Sequence, residues 1–375
     1  MDLLDLRNQL DVIDANIVDL YEKRMDICRQ VAEYKISTGK KVFDKQRETE
    51  KLAAVRAMTH NEFNAHGIQE LFEQIMSMSR KLQYQLLAEQ GSLGKLPFIG
   101  VDALETKKAR VVFQGAEGAY SQAAMMQYFK DDISSFHVDT FRDAMSAIDE
   151  GSADFAVLPI ENSSAGSVSA VYDLLIQNRF VIAKAVTVKV SHCLAALCPV
   201  EDVTEVVSHP QALAQCNQYI TSHQYVRREY SNTATAGKFI SETAPPHTAA
   251  ICSEQAAQKY GLHILDRDIQ DAKFNRTRFI AISRTLYTPE DANKISICFD
   301  IPHVAGSLHS VLERFALHNL NMTKIESRPV PNEPFRYHFY LDFTGCIHDP
   351  DTLQLIASLA EELPNFTFFG NYVEE

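Results

Sequence analysis

The sequence predicts a multidomain chain: an all-α segment, then a two-lobed α/β region, then an α+β region. Three observations predict this. An apolar stripe in alternating three- and four-residue steps dominates residues 1 to 90. Short apolar runs alternate with helical ones from Arg110 to Ser283. From Lys294 the order is strand, helix, strand, strand, helix, strand. The expected boundaries are 1–90, 109–284 and 294–375, with a polar, glycine-broken linker from Glu89 to Lys108.

In the first segment Leu3, Leu6, Leu10, Ile13, Ile17, Leu20, Ile27, Val31 and Tyr34 form the seam of a long helix. Arg24 occupies one seam position. A guanidinium there needs a carboxylate partner, an anionic ligand or a snorkelling stem. Lys35 lies three turns further on nearly the same face. Gly39 is expected as the C-cap, and a second helix from Asp44 carries Asp44, Arg47 and Glu48 together. A third, from about Glu62 to Leu87, has the stripe Leu71, Ile75, Met78, Leu82 and Leu86, with Ser79 and Gln83 on a neighbouring face. The long first helix has more seam than one chain can cover, which argues for pairing with a second copy, as a homodimer or higher homo-oligomer.

These residues make the segment resemble the all-helical chorismate mutase domain. The resemblance implies a pocket lined by Arg7, Arg24, Lys35, Asp44, Arg47, Glu48, Ser79 and Gln83. Chorismate is a dicarboxylate that rearranges to prephenate in a concerted step. Catalysis then means holding the folded conformer and placing donors on the ether oxygen, where charge grows. Arg7, Arg24 and Arg47 suit the carboxylates through their bidentate forks, and Lys35 and Gln83 suit the ether oxygen. Arg7 projects about 100° from the face of Arg24, so it should not reach the same pocket within one straight helix; the resemblance implies that it serves the partner subunit's pocket, which the geometry permits.

The middle region reads as strands at Val111–Gln114, Phe136–Val138, Phe155–Ile160, Val181–Val190, Val203–Val207, Tyr225–Tyr230, Ala249–Cys252 and Phe279–Ser283, with helices between them. A mainly parallel sheet in each of two lobes is expected. Polar clusters fall where strands end: Gly115–Ser121, Pro159–Ser167, Ser208–Gln211, Asn232–Thr233 and Asn275–Phe279. Any one of them suits a helix N-cap, and together they suit a polyoxygenated anion.

Glu161-Asn162-Ser163-Ser164 with Gly166-Ser167, Ser208-His209-Pro210-Gln211 and Thr277-Arg278-Phe279 make this region resemble prephenate dehydratase. The resemblance implies a periplasmic-binding-protein-like fold and conversion of prephenate to phenylpyruvate, water and carbon dioxide without a cofactor. It implies Thr277 at the leaving ring hydroxyl, Glu161 and Asn162 as catalytic neighbours, and Ser163, Ser208, Gln211 and Arg278 on the substrate. Glu161 and His209 are the candidate proton sources. Arg278 reads equally as a carboxylate clamp and as a salt bridge at the strand end. Ala116 and Ala119 stand where the family has proline and a hydroxyl residue.

The last region alternates at Ile295, Ile297, Phe299 and Ile301, followed by a helix over Ser307–His318 and strands over Met322–Pro329 and Phe335–Phe343. A second helix over Asp351–Leu363 and a strand over Thr367–Tyr372 complete a ferredoxin-like split βαβ unit. Gly306-Ser307-Leu308-His309 and Glu326-Ser327-Arg328-Pro329 make it resemble an ACT regulatory domain, which implies phenylalanine as effector at those residues.

Composition narrows the alternatives. With 49 acidic and 36 basic residues the net charge is −13, without a basic block, so neither nucleic acid nor an anionic membrane is expected as a partner. No apolar run approaches the ~20 residues of a membrane span, and the start opens on the helix seam without a signal-peptide pattern. The seven cysteines are scattered, which suits a reducing cytoplasm, and the thirteen histidines show no metal-ligand spacing. A fused dehydrogenase would need a Gly-x-Gly-x-x-Gly loop, which Gly115–Ser121 lacks. A pure prephenate or amino-acid sensor would not need Thr277 or Glu161-Asn162.

Overall fold

The computed structural model describes residues 2–90, 106–129, 132–330 and 333–375. Most of the expected linker, and residues 331 and 332 between the expected strands Met322–Pro329 and Phe335–Phe343, lie outside these residues. The chain divides into two compact units. One joins residues up to 90 with Cys298–Thr367, and the other joins residues 106–297 with Phe368–Glu375.

In the first unit α1 (Leu3–Thr38), α2 (Lys45–Ala57) and α3 (Glu62–Glu89) follow the expected order. Gly39 ends α1 at φ 66°, where a Cβ would strain the backbone, and Lys40 N–H donates to Lys35 O at 3.0 Å. Asp44 is the N-cap of α2, outside the helical face where periodicity put it, and accepts from Arg47 N–H at 3.0 Å. Leu3, Leu20 and Ile27 on the α1 seam stay 61%, 64% and 60% exposed.

The second unit holds two lobes. The first contains β1 (Arg110–Gln114), α4 (Tyr120–Phe129), β2 (Ser134–Val138), α5 (Phe141–Asp149), β3 (Phe155–Asn162), β4 (Gly166–Ser167), α6 (Ser169–Asn178) and β5 (Val181–Lys189). The second contains β6 (Cys193–Ala196), β7 (Glu205–Ser208), α7 (Pro210–Gln215), α8 (Asn217–Ser222), β8 (Val226–Glu229), α9 (Thr233–Thr243), β9 (Thr248–Cys252), α10 (Glu254–Lys259) and β10 (His263–Asp266). The chain then returns to the first lobe as β11 (Arg276–Ser283), giving the orders β5-β11-β3-β1-β2 and β10-β6-β9-β7-β8.

The sheets are mixed, not mainly parallel as the alternation suggested. β1 runs parallel to β2 and β3, but β11 is antiparallel to β3 and β5 because it re-enters from the other lobe. In the second lobe β7 is parallel to β8 and β9, while β6 is antiparallel to β9 and β10. Phe113, Met125, Phe129, Phe155 and Phe279 centre the first core, and a smaller-residue core of Ala234, Ala250, Cys252 and Ala256 centres part of the second.

The C-terminal elements keep the expected order: β12 (Lys294–Asp300), α11 (Ser307–Leu317), β13 (Met322–Pro329), β14 (Tyr337–Thr344), α12 (Pro350–Glu362) and β15 (Thr367–Glu374). β13 and β14 pair antiparallel from Met322↔Phe343 to Pro329↔Tyr337. The compact units cut across the expected 294–375 boundary. The end of β15 pairs parallel to β5 at Val373↔Lys184, and Glu374 meets Lys294 at 2.7 Å within the second unit. Helices α11 and α12 belong with the first unit, where α12 packs on α3.

Candidate functional site

Helices α1, α2 and α3 line an open cavity of about 180 Å³ in the first unit. Its wall carries Arg24, Lys35, Asp44, Arg47, Glu48, Ser79 and Gln83, so every residue expected there is present except Arg7, which lies exposed near the start of α1. Arg24 Nη1 donates to Ser79 Oγ at 2.5 Å, and that hydroxyl donates to Ile75 O at 2.7 Å. A neutral hydroxyl does not neutralise a guanidinium, so the charge of Arg24 remains available to an anion.

Lys35 Nζ donates to Val42 O at 2.6 Å. Burial pushes its proton affinity below the ordinary lysine value, while Asp44, Glu361 and Glu48 pull the other way. Gln83 is 6% exposed and donates to Ser79 O at 3.1 Å, yet its Oε1 has no hydrogen-bond partner. That buried amide needs a ligand or water. The cavity therefore joins cations, a carboxylate pair and an under-satisfied amide, a set suited to a small hydroxylated polyanion.

Sequence reasoning missed Arg80, which also lines this cavity. Its Nη1 reaches Glu48 Oε1 at 2.6 Å and Oε2 at 2.5 Å. Its place one residue past Ser79 was legible, but its partner was not.

In the second unit the expected residues gather where β3 meets β11. Asn162 and Thr277 are register partners, as are Glu161 and Arg278, and an irregularity follows at once between Arg278 and Phe279. Asn162 Oδ1 accepts from Ser164 N–H at 3.0 Å and Ala165 N–H at 2.9 Å. Two backbone donors can face only the amide oxygen, so the orientation is fixed. The NH₂ group then donates to Thr277 Oγ1 at 2.9 Å and Asn275 Oδ1 at 2.8 Å. Because Thr277 accepts from Asn162, its own hydrogen is free for another acceptor. Asn275 is 1% exposed and its Nδ2 has no partner, a second buried donor beside Thr277.

Strand alternation directs Glu161 and Arg278 to the opposite sheet face from Thr277 and Asn162. There Arg278 meets Glu161 at 3.2 Å and Glu374 at 3.0 Å. Two carboxylates already engage it, which favours the salt-bridge alternative over the substrate clamp. Ser163 Oγ accepts from Arg276 N–H at 2.9 Å, closing the turn against β11.

On the second lobe Ser208 is 0% exposed, and its hydroxyl donates to Ile251 O at 2.6 Å. It braces β7 against β9 and does not present a free hydroxyl. His209 caps α7 by accepting Gln211 N–H on Nδ1 at 3.2 Å, which leaves Nε2 as the nitrogen able to carry a transferable proton. Gln211 is exposed in the first turn of α7. The loop from Gly115 reaches across to α10: Gly118 O accepts from Ser253 Oγ at 2.7 Å, and Glu117 pairs with Lys259 at 2.8 Å. Tyr120 OH donates to Ser191 O at 2.6 Å, so this loop serves in bracing the lobes even with alanine at 116 and 119.

Gly306 opens α11 at φ 83° without a side-chain cap, with Ser307 and Leu308 half-buried and His309 exposed. On β13, Glu326 and Arg328 are half-buried and Ser327 and Pro329 exposed. Among the described residues no group of three or more His, Cys, Asp or Glu side chains is arranged to hold a metal. No described helix is long and apolar enough to cross a membrane.

Comparison with known proteins matches residues 6–84 to chorismate mutase type II and residues 111–286 to prephenate dehydratase. A bifunctional chorismate mutase/prephenate dehydratase of Enterobacter agglomerans is 31% identical, covering 100% of this chain and 96% of its own. Arogenate dehydratase/prephenate dehydratase 2 of Arabidopsis thaliana is 35% identical over 83% of this chain and 82% of its own. A crystal structure of prephenate dehydratase in complex with L-Phe, from Arthrobacter aurescens, superposes with a TM-score of 0.65 at 30% identity, covering 70% of this chain and 89% of that one.

Proposed function

The chain belongs to the family of bifunctional chorismate mutases/prephenate dehydratases, and on that premise we propose which of its parts performs each step. It rearranges chorismate to prephenate and converts prephenate to phenylpyruvate with loss of water and carbon dioxide, steps of phenylalanine biosynthesis. Residues 1–90 carry the mutase, 109–284 the dehydratase and 294–375 the regulatory region.

The observation that carries the mutase assignment is the 180 Å³ cavity, in which the cations Arg24, Lys35 and Arg47 converge with the amide of Gln83, a set that can hold and polarise a polyanion through a step that needs neither nucleophile nor general base. Arg24 and Arg47 hold the carboxylates of the folded conformer. Lys35 and Gln83 meet the ether oxygen, whose charge grows as the bond breaks. Glu48, Asp44 and Ser79 orient the hydroxyl and the lysine. Arg7 comes from the partner subunit, a reading supported by its absence from its own chain's cavity and by the exposed seam of α1, which a second copy would bury.

In the dehydratase, decarboxylation sends electrons into the ring while the C4 oxygen leaves, and that oxygen needs a donor. Thr277 is that donor, oriented by Asn162, with Asn275 Nδ2 beside it. His209 serves as the proton source, since Glu161 faces away and is paired with Arg278. Arg278 locks β11 to β3 and β15. Ser163 and Gln211 contact the substrate, and Ser208 shapes the site through the backbone. Phenylalanine binds at Gly306–His309 and Glu326–Pro329, next to a neighbouring subunit's copy, and lowers dehydratase turnover; the uncapped N-terminus of α11 supports the carboxylate end of that reading.

Arg24→Ala tests the division. We expect chorismate turnover to fall by orders of magnitude while prephenate dehydration stays near wild type. Equal loss of both in a folded protein would merge the two sites. Mixing Arg7→Ala with Arg24→Ala subunits should restore part of the mutase activity, and no recovery after demonstrated exchange counts against the shared pocket.

A further inference from the structure

Arg80 faces two carboxylates at once. On one side it holds both oxygens of Glu48 at the cavity. On the other its Nε lies 3.3 Å from Glu362 Oε1, at the last residue of α12. Arg314 of α11 takes the second Glu362 oxygen at 2.5 Å. The side chains of Arg80 and Glu362 are only 12% and 2% exposed, so this is a buried alternation of charge: Glu48, Arg80, Glu362, Arg314. The guanidinium also stands 5.7 Å from the centroid of the Phe43 ring, a cation–π contact.

A carboxylate as deeply withdrawn as Glu362 is costly unless cations flank it. Burial raises its proton affinity, and Arg314 and Arg80 oppose that rise. The neighbouring Glu361 accepts from Tyr84 OH at 2.7 Å, so the end of α12 is fastened to α3 twice. Arg80 therefore cannot turn away from Glu362 without leaving that buried carboxylate to Arg314 alone, and Glu48 cannot turn without losing Arg80.

We propose that Arg80 is a positioning residue of the mutase reaction, holding Glu48 in its working rotamer, and that Glu362 of the C-terminal region holds Arg80. This rests on the assignment of the cavity to chorismate. A consequence is that the mutase site is completed by a helix residue 282 positions away in sequence, as Glu362 against Arg80 shows. A displacement of α12 against α3 is then felt at Glu48.

The test is a set of double-mutant cycles on chorismate kcat and KM in the full-length chain. Arg80→Met should lower kcat/KM by about 10-fold or more in the wild-type background and by less than about 2-fold in Glu48→Gln. Arg80→Lys keeps the charge but not the two-sided fork, so it should recover only part of the loss. Glu362→Gln should cost about 3- to 10-fold with Arg80 present and nothing measurable in Arg80→Met. The Arg80→Met/Glu362→Gln chain removes both charges together and so guards against simple misfolding, and prephenate turnover on each preparation reports an intact second unit. Equal fold-losses in both backgrounds would make Arg80 a packing residue and overturn the link alone. Wild-type turnover in Glu48→Gln would overturn the cavity assignment and the link with it.

Discussion

Thr277 shows what a residue's environment adds to its identity. A threonine at a strand end is ordinary, but one that accepts from an orientation-fixed Asn162 has its hydrogen directed elsewhere. Thr277→Val keeps the shape and removes the donor. Prephenate should still bind while turnover drops by about 2 to 4 kcal/mol of transition-state stabilisation, and wild-type turnover would remove Thr277 from the mechanism. A second residue-scale prediction concerns His318, which burial and Lys81 hold down at about 4. A histidine with a lowered folded-state value contributes stability that is present above its unfolded value and lost as pH falls toward about 4. Denaturation midpoints should fall across that acid window, and His318→Gln should flatten this part of the profile; an unchanged slope refutes the assignment. Neither the Asn162 network nor the half-buried His318 was legible in sequence, since both depend on partners brought together by folding. In the helical cavity Arg24 was legible because it broke an apolar stripe, whereas the role of Arg80 on the same wall was not.

Elements were more readable than their pairing. Helices α1 to α3 and the strand–helix order of the last region follow from periods of 3.6 and 2, which are local properties. The direction of β11 is not local. Nothing in Arg276–Ser283 says that it will lie antiparallel between β3 and β5, because that is set by the excursion through the second lobe. The Gly115–Ser121 loop was read as a ligand loop, whereas its tightest contact is structural. A Cβ on Gly118, at φ 87°, would stand 2.6 Å from Ala256 Cα. Gly118→Ala should cost about 1–3 kcal/mol through backbone strain and overpacking against α10. Thermal unfolding measures this directly, and an unshifted midpoint means that the loop relaxes freely.

At the scale of the molecule, the region proposed to regulate and the regions proposed to catalyse share supports. Removing the C-terminal region to test feedback would strip β15 from β5 and α12 from α3, so loss of inhibition in a shortened chain is ambiguous. A point change is cleaner: Ser307→Trp, at the start of α11, should raise the phenylalanine concentration for half-inhibition by about 10-fold or more. Linkage requires prephenate to weaken phenylalanine binding by the same factor that phenylalanine weakens prephenate binding, which calorimetry can check. The central claim is that one chain holds two separable sites joined by a released intermediate. Phenylpyruvate formation from chorismate by an equimolar mixture of Arg24→Ala and Thr277→Val chains tests it most directly. Each variant alone should form almost none, and the mixture should recover a large part of the wild-type rate, with Thr277→Val supplying prephenate and Arg24→Ala consuming it. A mixture as inactive as its components, although both variants are folded, would contradict the account.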